Sequence, residues 1–117
     1  MKLTELRPTF LARIDDKNFK LTDSIAEADG IQFLCPRCFK ENGGPVGTHA
    51  VICWKPSVPQ TTFPTPGRWN LVGTGYNDLS LVAGSSSVLI KASDQEKAAG
   101  ILEHWHGFVT SGEVTGA

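Results

Sequence analysis

Cys35-Pro36-Arg37-Cys38 and His104-Trp105-His106 are the stretches of this chain whose side chains are best placed to hold a metal ion. Two cysteines separated by two residues form a compact thiolate clamp that suits a tetrahedral ion, with each sulfur about 2.3 Å from the metal. His104 and His106 stand two apart, so on a regular strand both imidazoles point to one face. Two sulfurs and two imidazole nitrogens are a donor set that zinc favours. The spacing therefore predicts a structural zinc site made by Cys35, Cys38, His104 and His106, closed across residues 39–103. Glu103, His49 and Cys53 are alternative ligands. Cys53 falls in the apolar stretch Thr48–Trp54, where a single cysteine usually behaves as a small hydrophobe, so it is expected outside the site.

A Cys-x-x-Cys motif also serves thiol–disulfide exchange, where a helix starting at the first cysteine lowers the thiol pKa. Here the residues after Cys38 run Phe39-Lys40-Glu41-Asn42-Gly43-Gly44-Pro45. Two glycines and a proline argue against a helix, and the redox reading is set aside on that ground.

The rest of the chain must position these ligands. Its 117 residues fit one domain, 1–117. Twelve glycines and seven prolines imply many turns and short elements, as in a β-rich α+β fold that a metal could staple. We expect a small, mainly β, antiparallel sheet domain with one or two short helices. Two strands flank the turn Asp15-Asp16-Lys17-Asn18, with Leu3, Leu6, Phe10, Leu11, Ile14, Phe19 and Leu21 facing inward. Thr22 or Asp23 caps a short helix through Ala28 that Gly30 ends in a left-handed conformation. Ile31–Leu34 is a strand that delivers Cys35. In Thr48–Trp54, His49, Val51 and Cys53 share one face. Residues 56–67 hold four of the seven prolines and form an extended loop in which Phe63 is the one large apolar side chain. Strands over Arg68–Gly73 and Leu79–Val82 flank the turn Thr74–Asp78. Gly84-Ser85-Ser86 breaks the run before a strand over Ser87–Lys91. Ser93-Asp94-Gln95-Glu96 has the spacing of a capping box, and a hairpin built on Ile101–Val109 and Glu113–Thr115 closes the chain.

Net charge is −1 and the eleven Lys and Arg residues are scattered singly. No basic stripe supplies the phosphate neutralisation on which nucleic-acid binding depends. No run approaches the roughly 20 apolar residues that span a bilayer, and the start carries no apolar targeting core, so a membrane protein is not expected. Three cysteines, an odd number, suit a reducing cytosol in which thiols stay free for metal.

Several motifs recur together in one order: Cys-Pro-x-Cys after a strand, Gly-Gly-Pro-Val-Gly-Thr-His (residues 43–49), Pro-Gly-Arg-Trp-x-Leu-x-Gly-Thr-Gly (66–75), a Ser-Val-Leu segment, and Trp-His-Gly-Phe-Val-x-x-Gly-Glu-Val (105–114). From about residue 29 onward this pattern resembles a family of small proteins of tailed bacteriophages and prophages, loosely related to bacterial DUF6527-type domains. In that family the closing motif is Cys-x-x-His or Cys-x-His ahead of Gly-Phe. His106 matches its histidine, whereas Glu103 or His104 stands near the place of its cysteine. The resemblance implies expression in the cytoplasm of a bacterial host and implies no particular activity.

These readings lead to a non-enzymatic, zinc-stapled module of a phage or prophage that binds a protein partner, of the host or of the phage, with Phe63 as a contact residue. Two other functions are weighed against it. A zinc hydrolase would leave one coordination position open and use Glu103 or Asp78 as general base. A small-ligand binder would gather Trp54, Trp69, Trp105 and Tyr76 around a pocket.

Overall fold

The computed structural model describes residues 1–65, 67–82 and 87–116. Its architecture is mainly antiparallel sheet with two short α-helices, as the turn-rich composition predicts. Thr9–Arg13 (β1) and Phe19–Thr22 (β2) pair around the expected turn, where the Asp15 carboxylate accepts the Lys17 N–H at 2.8 Å. Gly30–Leu34 (β3) pairs with β1 on one side and with Ala50–Trp54 (β4) on the other, giving the order β2-β1-β3-β4. Between β3 and β4 runs a two-turn helix, Pro36–Asn42 (α1). Asn70–Val72 (β5) and Ser80–Val82 (β6) form a separate ribbon. Ser87–Lys91 (β7), Glu103–Thr110 (β8) and Glu113–Gly116 (β9) make a third sheet in chain order, with Asp94–Ala98 (α2) between β7 and β8. The Gly84–Ser86 break and Pro66 lie outside the described residues.

The main core draws on all three sheets. Phe10, Ile31, Phe33 and Cys53 of the first sheet meet Leu81 of the ribbon and Val88, Val109 and Val114 of the third. Leu3 and Leu6, in a 3₁₀ turn over Leu3–Leu6, and Leu79 close it. Burying each such side chain is worth roughly 1.5–3 kcal/mol. Leu11, Trp54 and Val58 form a second, smaller cluster. Ile14, Phe19 and Leu21, expected to face inward, are exposed instead. The last two lie on β2, an edge strand of the first sheet.

Two glycines are required by close approach. Gly30 does not end a helix in a left-handed conformation: it opens β3, and a Cβ there would stand 2.6 Å from Trp54 Cε3. The preceding helical segment is one 3₁₀ turn, Ile25–Glu27, with Ser24 as its N-cap. Gly112 (φ +79°) follows Ser111 (φ +48°), both left-handed, as a two-residue hairpin turn demands. A Cβ on Gly112 would collide with the Asn77 carbonyl, and its own N–H donates to the Leu79 carbonyl at 2.8 Å.

The Pro-rich loop is gathered chiefly around Arg68. The Arg68 guanidinium donates to the carbonyls of Val58, Pro59, Thr62, Pro64 and Gly67 at 2.6–3.0 Å. Trp54 Nε1 donates to the Phe63 carbonyl at 2.7 Å, which leaves the Phe63 ring outside and 77% exposed.

Candidate metal centre

β3 ends at Leu34 and hands the chain to Cys35, the N-cap residue of α1. The helix contradicts the sequence expectation and begins at the first cysteine. Pro36 occupies its first turn, where a missing N–H costs nothing. Gly43, at φ 66°, caps its end in the left-handed conformation, and Gly44 N–H returns to the Phe39 carbonyl at 3.0 Å. The glycines thus stop the helix after seven residues instead of preventing it. The Cys35 carbonyl accepts Phe39 N–H at 2.9 Å, which places Cys38 in the first turn beside Cys35. Cys35 N–H donates to the His49 carbonyl at 2.8 Å, so β4 starts next to the clamp.

His104 arrives from the third sheet. In the β7–β8 ladder Ile90 faces Trp105 and Lys91 faces Glu103, so His104 is an extra residue, a β-bulge. The bulge sends its imidazole toward α1. His104 Nε2 stands 3.3 Å from Cys35 Sγ, 3.2 Å from Cys38 Sγ and 3.2 Å from His49 Nε2. One ligand atom from each of Cys35, Cys38, His49 and His104 lies within 4.8 Å of all the others, close enough to bind one metal ion.

Hydrogen bonding does not account for this convergence. His104 Nδ1 lies 2.9 and 3.0 Å from the two Glu96 carboxylate oxygens, so Nδ1–H faces Glu96 and Nε2 faces the cluster. A ring nitrogen carries one proton or one lone pair, yet three groups crowd Nε2. A tetrahedral ion with bonds of about 2.0–2.3 Å would set ligand–ligand edges of roughly 3.3–3.8 Å, within a few tenths of an ångström of the observed contacts.

Glu96 is held in turn. Its Oε1 accepts Ser93 N–H at 3.1 Å and Ser93 Oγ accepts Glu96 N–H at 3.2 Å, the reciprocal capping box that the sequence spacing predicts. The His104 contact, then the Ser93 N–H, holds its carboxyl at about 2, well below the usual range. Arg37, inside the Cys-x-x-Cys motif, donates to Glu96 Oε2, to the His104 carbonyl and to Glu41, each at 3.0 Å. It thereby ties α1 to β8 and α2. Sequence reading gave Glu96 only its capping role and gave Arg37 none. The available signal was a carboxylate near a ligand histidine, the usual partner of the ring N–H pointing away from a metal.

The remaining predicted residues lie elsewhere. His106 is outside the cluster: its Nδ1 is 3.5 Å from a Glu103 oxygen and its ring packs at 6.4 Å from Phe108. The two-residue alternation that puts His104 and His106 on one face fails because the bulge interrupts it. Glu103, half exposed, is likewise apart from the cluster. Cys53 is fully buried among core residues, where burial pushes its thiol pKa far up. Cys35 is also fully buried, and burial followed by the neighbouring Cys35 sulfur pushes the metal-free Cys38 thiol to about 11. Disulfide exchange needs an accessible thiolate, and the Cys35 sulfur is enclosed by the fold. Asp78 caps its own turn, accepting Thr74 and Gly75 N–H groups at 2.9 and 3.0 Å. The aromatic residues are dispersed. Trp54 is buried against Leu11 and Val58, Tyr76 stacks on Phe10 at 4.4 Å, and Trp69 lines a groove to which Trp54, Trp105 and Tyr76 do not contribute.

Among the described residues no helix is long and apolar enough to cross a membrane. Comparison of the chain with family models, curated proteins and solved structures finds no match.

Proposed function

We propose that the protein is a non-enzymatic interaction module stapled by one structural zinc ion, held by Cys35, Cys38, His49 and His104. One observation carries the reading: four ligand atoms converge from two separate parts of the fold, three from α1 and the segments flanking it between β3 and β4, and one from the bulge in β8. Two sulfurs and two imidazole nitrogens favour zinc over the harder cations, which take oxygen ligands. Four protein ligands also leave no position for a reactive water, whereas catalytic zinc keeps one open. The staple holds surface residues for contact, Phe63 foremost, on a frame that needs little further ordering. The resemblance of its motifs to the phage family supports a place in the cytoplasm of a bacterial host, and the exposed Phe63 ring supports action on a protein partner there.

Elemental analysis of the purified chain should give about one zinc per molecule. Cobalt substitution should give the intense visible bands of a tetrahedral thiolate site. A metal-free chain with an unchanged melting curve in strong chelator would overturn the reading. So would zinc-dependent hydrolysis of an ester or peptide.

A further inference from the structure

β4 and β7 are edge strands of two different sheets, and they line one groove of about 700 Å³ from residues 49–53 on one side and 87–91 on the other. The backbone of both edges points into it. Along β3–β4 the bonds Cys35 N–H to His49 carbonyl and Lys55 N–H to Asp29 carbonyl mark the paired positions, which alternate through Val51 and Cys53. Ala50 and Ile52 therefore direct their N–H and carbonyl groups away from β3. Trp54, next in that series, does the same and gives its carbonyl to Trp69 N–H at 2.9 Å. On β7 the count runs from the other hairpin. The two-residue turn makes Thr110 and Glu113 a bonded pair, so Phe108 bonds to β9 and Gly107 bonds to Val88. Leu89 then turns its N–H and carbonyl away from β8. The Ser87 carbonyl, two residues earlier, confirms this by accepting Trp69 Nε1 at 3.1 Å.

The ends of the groove are closed. Trp69 bridges both edges at one end, and the metal centre joins His49 to the sheet of β7 at the other. Between them stand backbone groups of Ala50, Ile52 and Leu89 that have no partner among the described residues, walled by apolar Ile52, Phe63, Trp69, Leu89 and Ile90. Lys91, at the metal end, has no ion-pair partner among the described residues.

We propose that this slot is a strand-addition site for an extended segment of a partner protein. The segment is about five residues long, alternates apolar side chains, and carries an acidic residue beside Lys91. Two facing rows of unpaired donors and acceptors call for another backbone, because an extended chain satisfies both rows while its alternate side chains meet the apolar walls. A small apolar ligand would leave those groups unpaired at a cost. This inference rests on the interaction-module reading and names its surface and the chemistry of its partner.

The test uses the zinc-loaded full chain and a displayed library of random seven-residue peptides. The expected winners alternate apolar residues and contain Asp or Glu, and they slow amide exchange at Ala50, Ile52 and Leu89. Successive backbone nitrogens of the bound peptide face the two edges in turn, so methylating either set within the slot should weaken binding at least tenfold, while methylating a nitrogen outside it leaves binding unchanged. Ile52→Pro removes an outward N–H that β3 does not use, so this variant should keep its zinc and lose the peptide at least tenfold. Lys91→Glu should reverse the acidic preference. A library without binders, protection confined to another surface, or indifference to N-methylation overturns the proposal while the zinc staple stands. Protection of the same amides in a dimer of the chain alone overturns it in favour of a second copy. Absence of zinc from the chain is the separate failure of the underlying reading.

Discussion

The groove between β4 and β7 is closed by two unlike devices. At one end three side-chain atoms from α1 and its flanks and one from β8 gather close enough to bind one ion. At the other, a single tryptophan spans the edges with two hydrogen bonds, one from its backbone N–H and one from its indole. Each such bond is worth about 0.5–1.5 kcal/mol net, whereas structural zinc binding is worth roughly 10–16 kcal/mol in small metal-folded domains. The contrast separates a strong closure that exists only with metal from a weak one that is always present. Losing the ion should loosen the metal end of the groove, where Arg37 still ties α1 to Glu96 and to the His104 carbonyl, while Trp69 continues to hold the other end.

The largest effect should come from removing a thiolate. Cys38→Ser is expected to lose zinc and lower the melting midpoint by more than ~10 °C, or about 2–5 kcal/mol, and calorimetry of the zinc-loaded chain and the variant checks it. Next comes a matched pair. His104→Ala should lose stoichiometric zinc and expose Ser87–Lys91 to rapid hydrogen exchange, while His106→Ala keeps about one zinc per chain. Equal zinc contents in the two variants would refute the assignment of the bulge residue. Glu96→Gln leaves the four ligands in place but replaces the carboxylate that orients His104. Its zinc affinity, read by competition with a coloured chelator, should fall about 10–100-fold. Trp69→Phe, at the other end, keeps an aromatic ring and the backbone N–H but loses the indole donor together with part of the ring's packing against the core. About 1 kcal/mol of stability should be lost, with zinc content and affinity unchanged. A drop in zinc affinity in that variant would mean that the two closures are coupled, not independent.

Much of this was legible in the residues, and the misses share a physical origin. The Cys-x-x-Cys clamp, the capping box at Ser93 and the turn-bounded strands depend on neighbours in sequence, and all were readable there. The mainly β architecture followed from them. Helix α1 was misjudged because Gly43 and Gly44 were weighed as breakers of everything after Cys38. They begin only after seven helical residues that include Pro36 at a favourable position. The exchange of His106 for His49 has a different cause. A bulge depends on how β8 registers against β7, and no local feature of Glu103-His104-Trp105 announces it. His49 in turn reaches the site through the pairing of β3 with β4, which sets its backbone against Cys35. Local chemistry named the candidate donor types, and long-range register decided which of them converge.

The spacing of the four ligands along the chain also sets an order of events. Cys35, Cys38 and His49 fall within fifteen consecutive positions, while His104 follows 55 residues later. Closing the longer loop costs only about 1 kcal/mol more entropy than closing the shorter one. Its contacts must nevertheless wait for β7, α2 and β8 to be made and docked. A chain emerging from the ribosome would therefore present a complete three-ligand clip before its fourth ligand exists. Metal captured at that stage would organise α1 and the β3–β4 pair first. Arrival of His104 would then be the step that fastens the last sheet to the rest.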